Sequence, residues 1–143
     1  MRMKDTSDGD RCRYNAASVD VCVAAGPRQP KAVLIIDDNS TIRGILGDFL
    51  EQKGFSVTLC ADGISGIAQA AAGKYDVFLV DYNMEGLNGT VVARMLRAKL
   101  PGARIIGMSL EDRSKDFLAA GADAFLEKPF DVNRMIKLLN PRA

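Results

Sequence analysis

The chain has 143 residues, 48% hydrophobic and 26% charged, with a net charge of +1 at pH 7. That is the size and make-up of one globular domain with a sizeable core, and the near-zero charge excludes an electrostatic case for nucleic acid or an anionic membrane as partner. There is no histidine, which excludes Ser-His-Asp and Cys-His catalysis and histidine metal sites.

Residues 1–30 differ from the rest. They are polar up to Ser18, carry a brief apolar patch at Val19–Ala25, and end in the breakers Gly26-Pro27 and Pro30. Acidic residues precede the patch and Asp20 interrupts it, which makes a signal peptide a poor reading. An N-terminal extension over 1–30, flexible and outside the fold, is expected, with a domain over 31–143. Cys12, Cys22 and Cys60 are an odd number, unlike a disulfide framework, and a cytoplasmic location is expected. No apolar run approaches the roughly 20 residues of a membrane-spanning helix.

From Lys31 onward short apolar runs alternate with helical patterns. Ala32–Ile36 reads as a buried strand running into Asp37 and Asp38. Ile42, Ile45, Leu46, Phe49 and Leu50 then fall on one stripe of a first helix, with Ser40 or Thr41 as cap and Gly54 as stop. Phe55–Cys60 alternates apolar and polar residues, as a half-exposed edge strand does. Asp62 caps a second helix with stripe Ile64, Ile67, Ala68 and Ala71. Val77–Val80 is a strand entering Asp81, and a third helix with Val92, Met95 and Leu96 stops near Pro101. Ile105–Met108 enters Ser109, a fourth helix is expected over Glu111–Ala120, and Ala124–Leu126 passes through Glu127 into Lys128-Pro129. A last helix begins at Asp131. Only four residues follow Leu139, and no output domain is expected downstream.

The order βαβαβαβαβα predicts an α/β fold, a parallel sheet with helices on both faces joined by right-handed crossovers. Ligands of such sheets sit beyond the carboxyl ends of the strands, where Asp37, Asp38, Asp81, Ser109 and Lys128 all fall. Crowded carboxylates must protonate or recruit a cation, and hard oxygen donors without histidine or cysteine suit Mg²⁺. A carboxylate beside a metal and a lysine is a plausible phosphoryl acceptor. Each residue also has a plainer reading: Asp37-Asp38 or Ser109 as helix caps, Asp81 as a loop residue, Lys128 as a solvated charge. Their co-occurrence at one end of four strands favours the shared site.

Ile35-Ile36-Asp37-Asp38, Leu79-Val80-Asp81-Tyr82-Asn83-Met84, Met108-Ser109 and Lys128-Pro129-Phe130 together resemble the receiver domain of two-component response regulators, most closely the single-domain, chemotaxis type. The resemblance covers about Lys31 to Leu139. It implies a doubly wound, flavodoxin-like, five-stranded parallel sheet of order 2-1-3-4-5. It also implies that Asp81 accepts a phosphoryl group from a histidine kinase or histidine phosphotransfer protein. Asp38, Asp81 and the Asn83 backbone carbonyl would hold Mg²⁺, with Asp37 acting through water. Lys128 would bind the phosphate through a cis Lys128–Pro129 bond, and Ser109 and Phe125 would carry the switch. Asn83 and Glu111 would tune dephosphorylation. A downstream protein, neither nucleic acid nor membrane, would meet the surface of the fourth helix, last strand and last helix. Catalysis would be limited to the domain's own phosphorylation and dephosphorylation.

Glu85 stands where many receivers have proline, Gly66 lies inside a helix where it costs up to about 1 kcal/mol against alanine, and the last helix is short. Alternatives are a phosphorelay intermediate, a receiver-like binding module that takes no phosphate, and, remotely, a haloacid dehalogenase-type phosphatase. The last would want Asp-x-Asp after the first strand, where this chain has Asp37-Asp38-Asn39.

Overall fold

The computed structural model describes residues 31–140, and the extension expected over 1–30 lies outside them. Five strands, β1 (Ala32–Ile36), β2 (Ser56–Cys60), β3 (Val77–Asp81), β4 (Arg104–Ser109) and β5 (Ala124–Glu127), alternate with five helices. The helices are α1 (Ser40–Gln52), α2 (Gly63–Ala72), α3 (Gly89–Lys99), α4 (Ser114–Ala119) and α5 (Val132–Leu139). All neighbouring strands pair in parallel, in the order β2-β1-β3-β4-β5. This is the 2-1-3-4-5 doubly wound sheet.

Side chains alternate across each strand, so the sheet has two cores. Leu34, Ile36, Phe78, Val80 and Ile105 pack with Val92, Leu96 and Phe117 of α3 and α4. Val33, Ile35, Leu79, Ile106 and Met108 pack on the other face with Leu46, Leu50, Met135 and Leu139 of α1 and α5. β1 and β3 are covered on both faces, which is why their sequences are continuously apolar, while edge strand β2 is half-exposed and alternates. The end of α5 is fastened from below: Lys31 Nζ and Arg104 Nε donate to the carbonyls of Leu139 and Leu138.

Several local expectations are corrected. Asn39, rather than Ser40 or Thr41, caps α1, its side chain accepting from the Ile42 N–H at 3.0 Å. Ile45 and Ile64, expected inside, are 59% and 70% exposed. The buried face of α2 is instead Gly63, Gly66 and Ala70. A Cβ on Gly66 would stand 2.4 Å from Ile36 Cδ1, so this glycine lets α2 approach β1 closely. The fourth helix starts at Ser114, not Glu111. Ser109 Oγ accepts from the Glu111 N–H and the Asp112 carboxylate accepts from Ser114 N and Oγ, and these local bonds keep residues 111–113 out of the helix. Among the described residues no helix is long and apolar enough to cross a membrane.

Candidate functional site

The register brings the carboxyl ends of β1, β3, β4 and β5 to one edge: Ile36 lies opposite Val80, Asp81 opposite Met108, and Ser109 opposite Glu127. One residue beyond these ends, the Lys128 ammonium lies 2.9 Å from Asp37 Oδ2 and 2.9 Å from Asp81 Oδ1. Both carboxylates are buried, and Asp38 is exposed beside them. The backbone aims this lysine. The Lys128 N–H donates to the Ser109 carbonyl at 2.7 Å, and the Lys128–Pro129 bond is cis. Asp37 is fixed from two sides, its Oδ1 accepting from the Asn39 N–H and its carbonyl accepting from Arg43 Nη1.

On the other side the chain turns tightly after Asp81. A Cβ on Gly89 would come within 2.3 Å of the Asp81 carbonyl oxygen, so only glycine lets α3 begin against the strand end. The loop with Glu85 turns through Gly86, at φ 84°, into the α3 cap, Asn88. The resulting cleft of about 300 Å³ is lined by Asp37, Asp38, Asp81, Asn83 and Lys128, with Ile42 and Leu110 as an apolar lip.

Burial pushes the Asp81 carboxyl above the ordinary aspartate range, the neighbouring Asp37 and Asp38 charges push the same way, and Lys128 opposes them. For Lys128 burial acts downward, but the hydrogen bonds and charges of Asp37 and Asp81 outweigh it and hold the ammonium above the usual lysine value. Oxygens of Asp37, Asp38 and Asp81 all lie within 4.8 Å of one another. This donor set, all hard oxygen with one residue exposed, fits Mg²⁺, which takes one or two carboxylates and keeps several waters.

Of the residues singled out by sequence, Asp37, Asp38, Asp81, Asn83 and Lys128 share the cleft. Ser109 is fully buried at the end of β4, its Oγ accepting from the Glu111 N–H. Phe125 is half-buried, its ring 5.8 Å from that of Phe117, and it lines a groove bounded by α4, β5 and α5. Glu111 does not line the cleft; its carboxylate pairs with Arg113 at 3.0 Å. Sequence reasoning missed Leu110 and Arg113, and gave Tyr82 no role beyond its place in the Asp81 motif. Leu110, 67% exposed directly after Ser109, could have been noticed as an apolar residue at a strand end, whereas the stacking of Arg113 on Tyr82 joins residues from separate loops.

A doubly wound sheet with an acidic, lysine-bridged cleft at its switch point defines a receiver-like signalling module. A sequence profile of the response regulator receiver domain matches residues 33–140. The chain belongs to that family, the phosphorylation-activated signalling modules of two-component systems rather than a family of metabolic enzymes. It is 30% identical over 111 residues, 76% of its length, to the probable transcriptional regulatory protein TcrX of Mycobacterium tuberculosis, of which the match covers 47%. The chain thus spans about half the length of the curated relatives it matches. Among solved structures it resembles the chemotaxis protein CheY4 of Vibrio cholerae, with a TM-score of 0.74 and 27% identity, covering 80% of this chain and 99% of that one. It also resembles the response regulator TrrA of Thermotoga maritima in complex with Mg²⁺ and BeF, with a TM-score of 0.70 and 29% identity over 76% of this chain and 98% of that one.

Proposed function

We propose that Asp81 is the phosphoryl acceptor of this domain and that Asp38, Asp81 and the Asn83 backbone carbonyl hold Mg²⁺, with Asp37 acting through water. The observation that carries this reading is the Lys128 ammonium bridging Asp37 and Asp81 at 2.9 Å each. It leaves a fixed positive charge beside the carboxylate that would take the phosphoryl group.

An Asp81 oxygen attacks phosphorus as the donor's bond to phosphorus breaks, and the donor leaves with that electron pair. Negative charge on the transferring oxygens is met by Lys128, held in place at no reorganisation cost. A bound Mg²⁺ would neutralise the remaining charge of the acidic cluster and of the phosphoryl group. With no histidine in the chain, a phosphohistidine donor is a partner: a histidine kinase or a histidine phosphotransfer protein, which sets the domain in the cytoplasm. The domain catalyses its own phosphorylation and dephosphorylation and nothing else.

Ser109 supplies the switch hydroxyl. Turning its Oγ toward a phosphate on Asp81 gives up the Glu111 N–H and opens room by β4, and Phe125 moves inward along Phe117 in response. The altered surface of α4, β5 and α5 then meets a downstream protein rather than nucleic acid. Incubation with a small acyl phosphate and Mg²⁺, read by intact mass, tests the assignment. One phosphoryl group on the parent chain and none on Asp81→Asn is expected; phosphate on Asp81→Asn overturns it.

A further inference from the structure

Arg113 is engaged on several sides at the start of α4. Its guanidinium carbon lies 4.4 Å from the centroid of the Tyr82 ring. Nη2 is 3.0 Å from Glu111 Oε1, Nη1 is 3.6 Å from Asp116 Oδ2, and Nε is buried with no hydrogen-bond partner. Tyr82 directly follows Asp81, and its ring meets Phe117 edge-on at 6.2 Å, which in turn packs on Phe125. The Glu111 backbone therefore sits at the site, donating to Ser109 Oγ, while its carboxylate is turned outward onto Arg113.

We propose that Arg113 is a positioning residue for the loss of phosphate from Asp81, holding the Glu111 carboxylate away from the attacking water. The proposal rests on Asp81 being the acceptor. In that step the water oxygen bonds to phosphorus while the bond from phosphorus to the Asp81 oxygen breaks, its electron pair returning to the carboxylate. The water's protons pass to the departing inorganic phosphate and to solvent. A carboxylate that accepts a hydrogen bond from this water orients it for in-line attack. Glu111 can do so only when it leaves Arg113. The aromatic contact gives the latch its address, because Tyr82 fixes the guanidinium beside the loop that follows Asp81.

The Arg113 and Glu111 side chains are 35% and 68% exposed, and pairs this exposed bias a population by no more than about fivefold. The full chain is phosphorylated with a small acyl phosphate, the donor is removed, and decay is followed by intact mass. Arg113→Ala is expected to speed decay by about two- to fivefold. Glu111→Ala alone should slow decay, and the double variant should decay at the rate of Glu111→Ala alone, because without the carboxylate Arg113 has nothing to hold and its removal speeds nothing. Arg113→Lys, which keeps a charge for Glu111, should stay near the parent. Unchanged or slower decay in Arg113→Ala, or an acceleration that survives in the double variant, overturns the proposal while leaving Asp81 as acceptor. A parent chain that takes up no phosphate overturns both.

Discussion

Lys128→Met removes the cation from between Asp37 and Asp81 while keeping most of the stem that packs there. The two aspartates, 0% and 5% exposed, are then left facing each other without a counter-charge. Their nearest oxygens lie within 4.8 Å, and at an effective dielectric near 20 two unit charges at that separation repel by about 3.5 kcal/mol. Breaking a buried pair by deleting one partner costs a similar amount, about 3–5 kcal/mol. The folded Asp81 carboxyl already ionises above its ordinary range because of burial. Its contribution to stability is therefore full below the unfolded pKa and is lost as pH rises through the folded one. Removing Lys128 deepens that loss. Urea unfolding at pH 7 without divalent ions should show a midpoint lowered by more than about 1 M, given slopes of about 1–3 kcal/mol per molar. Lowering the pH toward the carboxylate range, or adding Mg²⁺, should restore much of the difference. Equal midpoints at pH 7, or a deficit that neither acid nor Mg²⁺ reduces, would refute the reasoning.

Gly66→Ala should destabilise the domain by about 1–3 kcal/mol, the usual cost of overpacking, although helix propensity alone favours alanine by up to about 1 kcal/mol; a raised melting temperature would contradict the close approach of α2 to Ile36. Mg²⁺ binding, followed by backbone NMR shifts around the cleft, should weaken at least about tenfold in Asp38→Asn, as loss of one of few carboxylate ligands requires. An unchanged affinity would remove Asp38 from the ligand set.

Much of the fold was legible because a doubly wound sheet writes itself into the chain. Strands buried on both faces must be continuously apolar, and the polar residues of a ligand cleft must follow their ends, so Asp37, Asp38, Asp81 and Lys128 could be placed together from sequence. The alternation in β2 likewise marked an edge. Helix faces were less legible where glycine did the packing. Gly66 reads as a defect along one helix, and its purpose depends on Ile36, 30 residues away. The start of α4 was misplaced because the side chains of Ser109 and Asp112 accept from the N–H groups two residues on, forming local turns ahead of the helix. Arg113 escaped notice for a different reason. Its partners Tyr82 and Glu111 come from the ends of different strands, and no periodicity links them.

The two cations under α5 give this short helix a fixed end and a free one. Lys31 and Arg104 hold its last carbonyls to the starts of β1 and β4, where positive charge also complements the helix dipole. Its first turn is joined to the chain through Asp131 and Phe130, three and two residues after the Lys128 that spans the cleft. Any strain passed from Lys128 into the helix therefore acts like a push on the handle side of a hinged door. With the far end tied down, any such displacement would be greatest around Asp131 and Arg134 and would fade toward Leu139. A partner that reads the state of the cleft through α5 gains most by gripping its first turn.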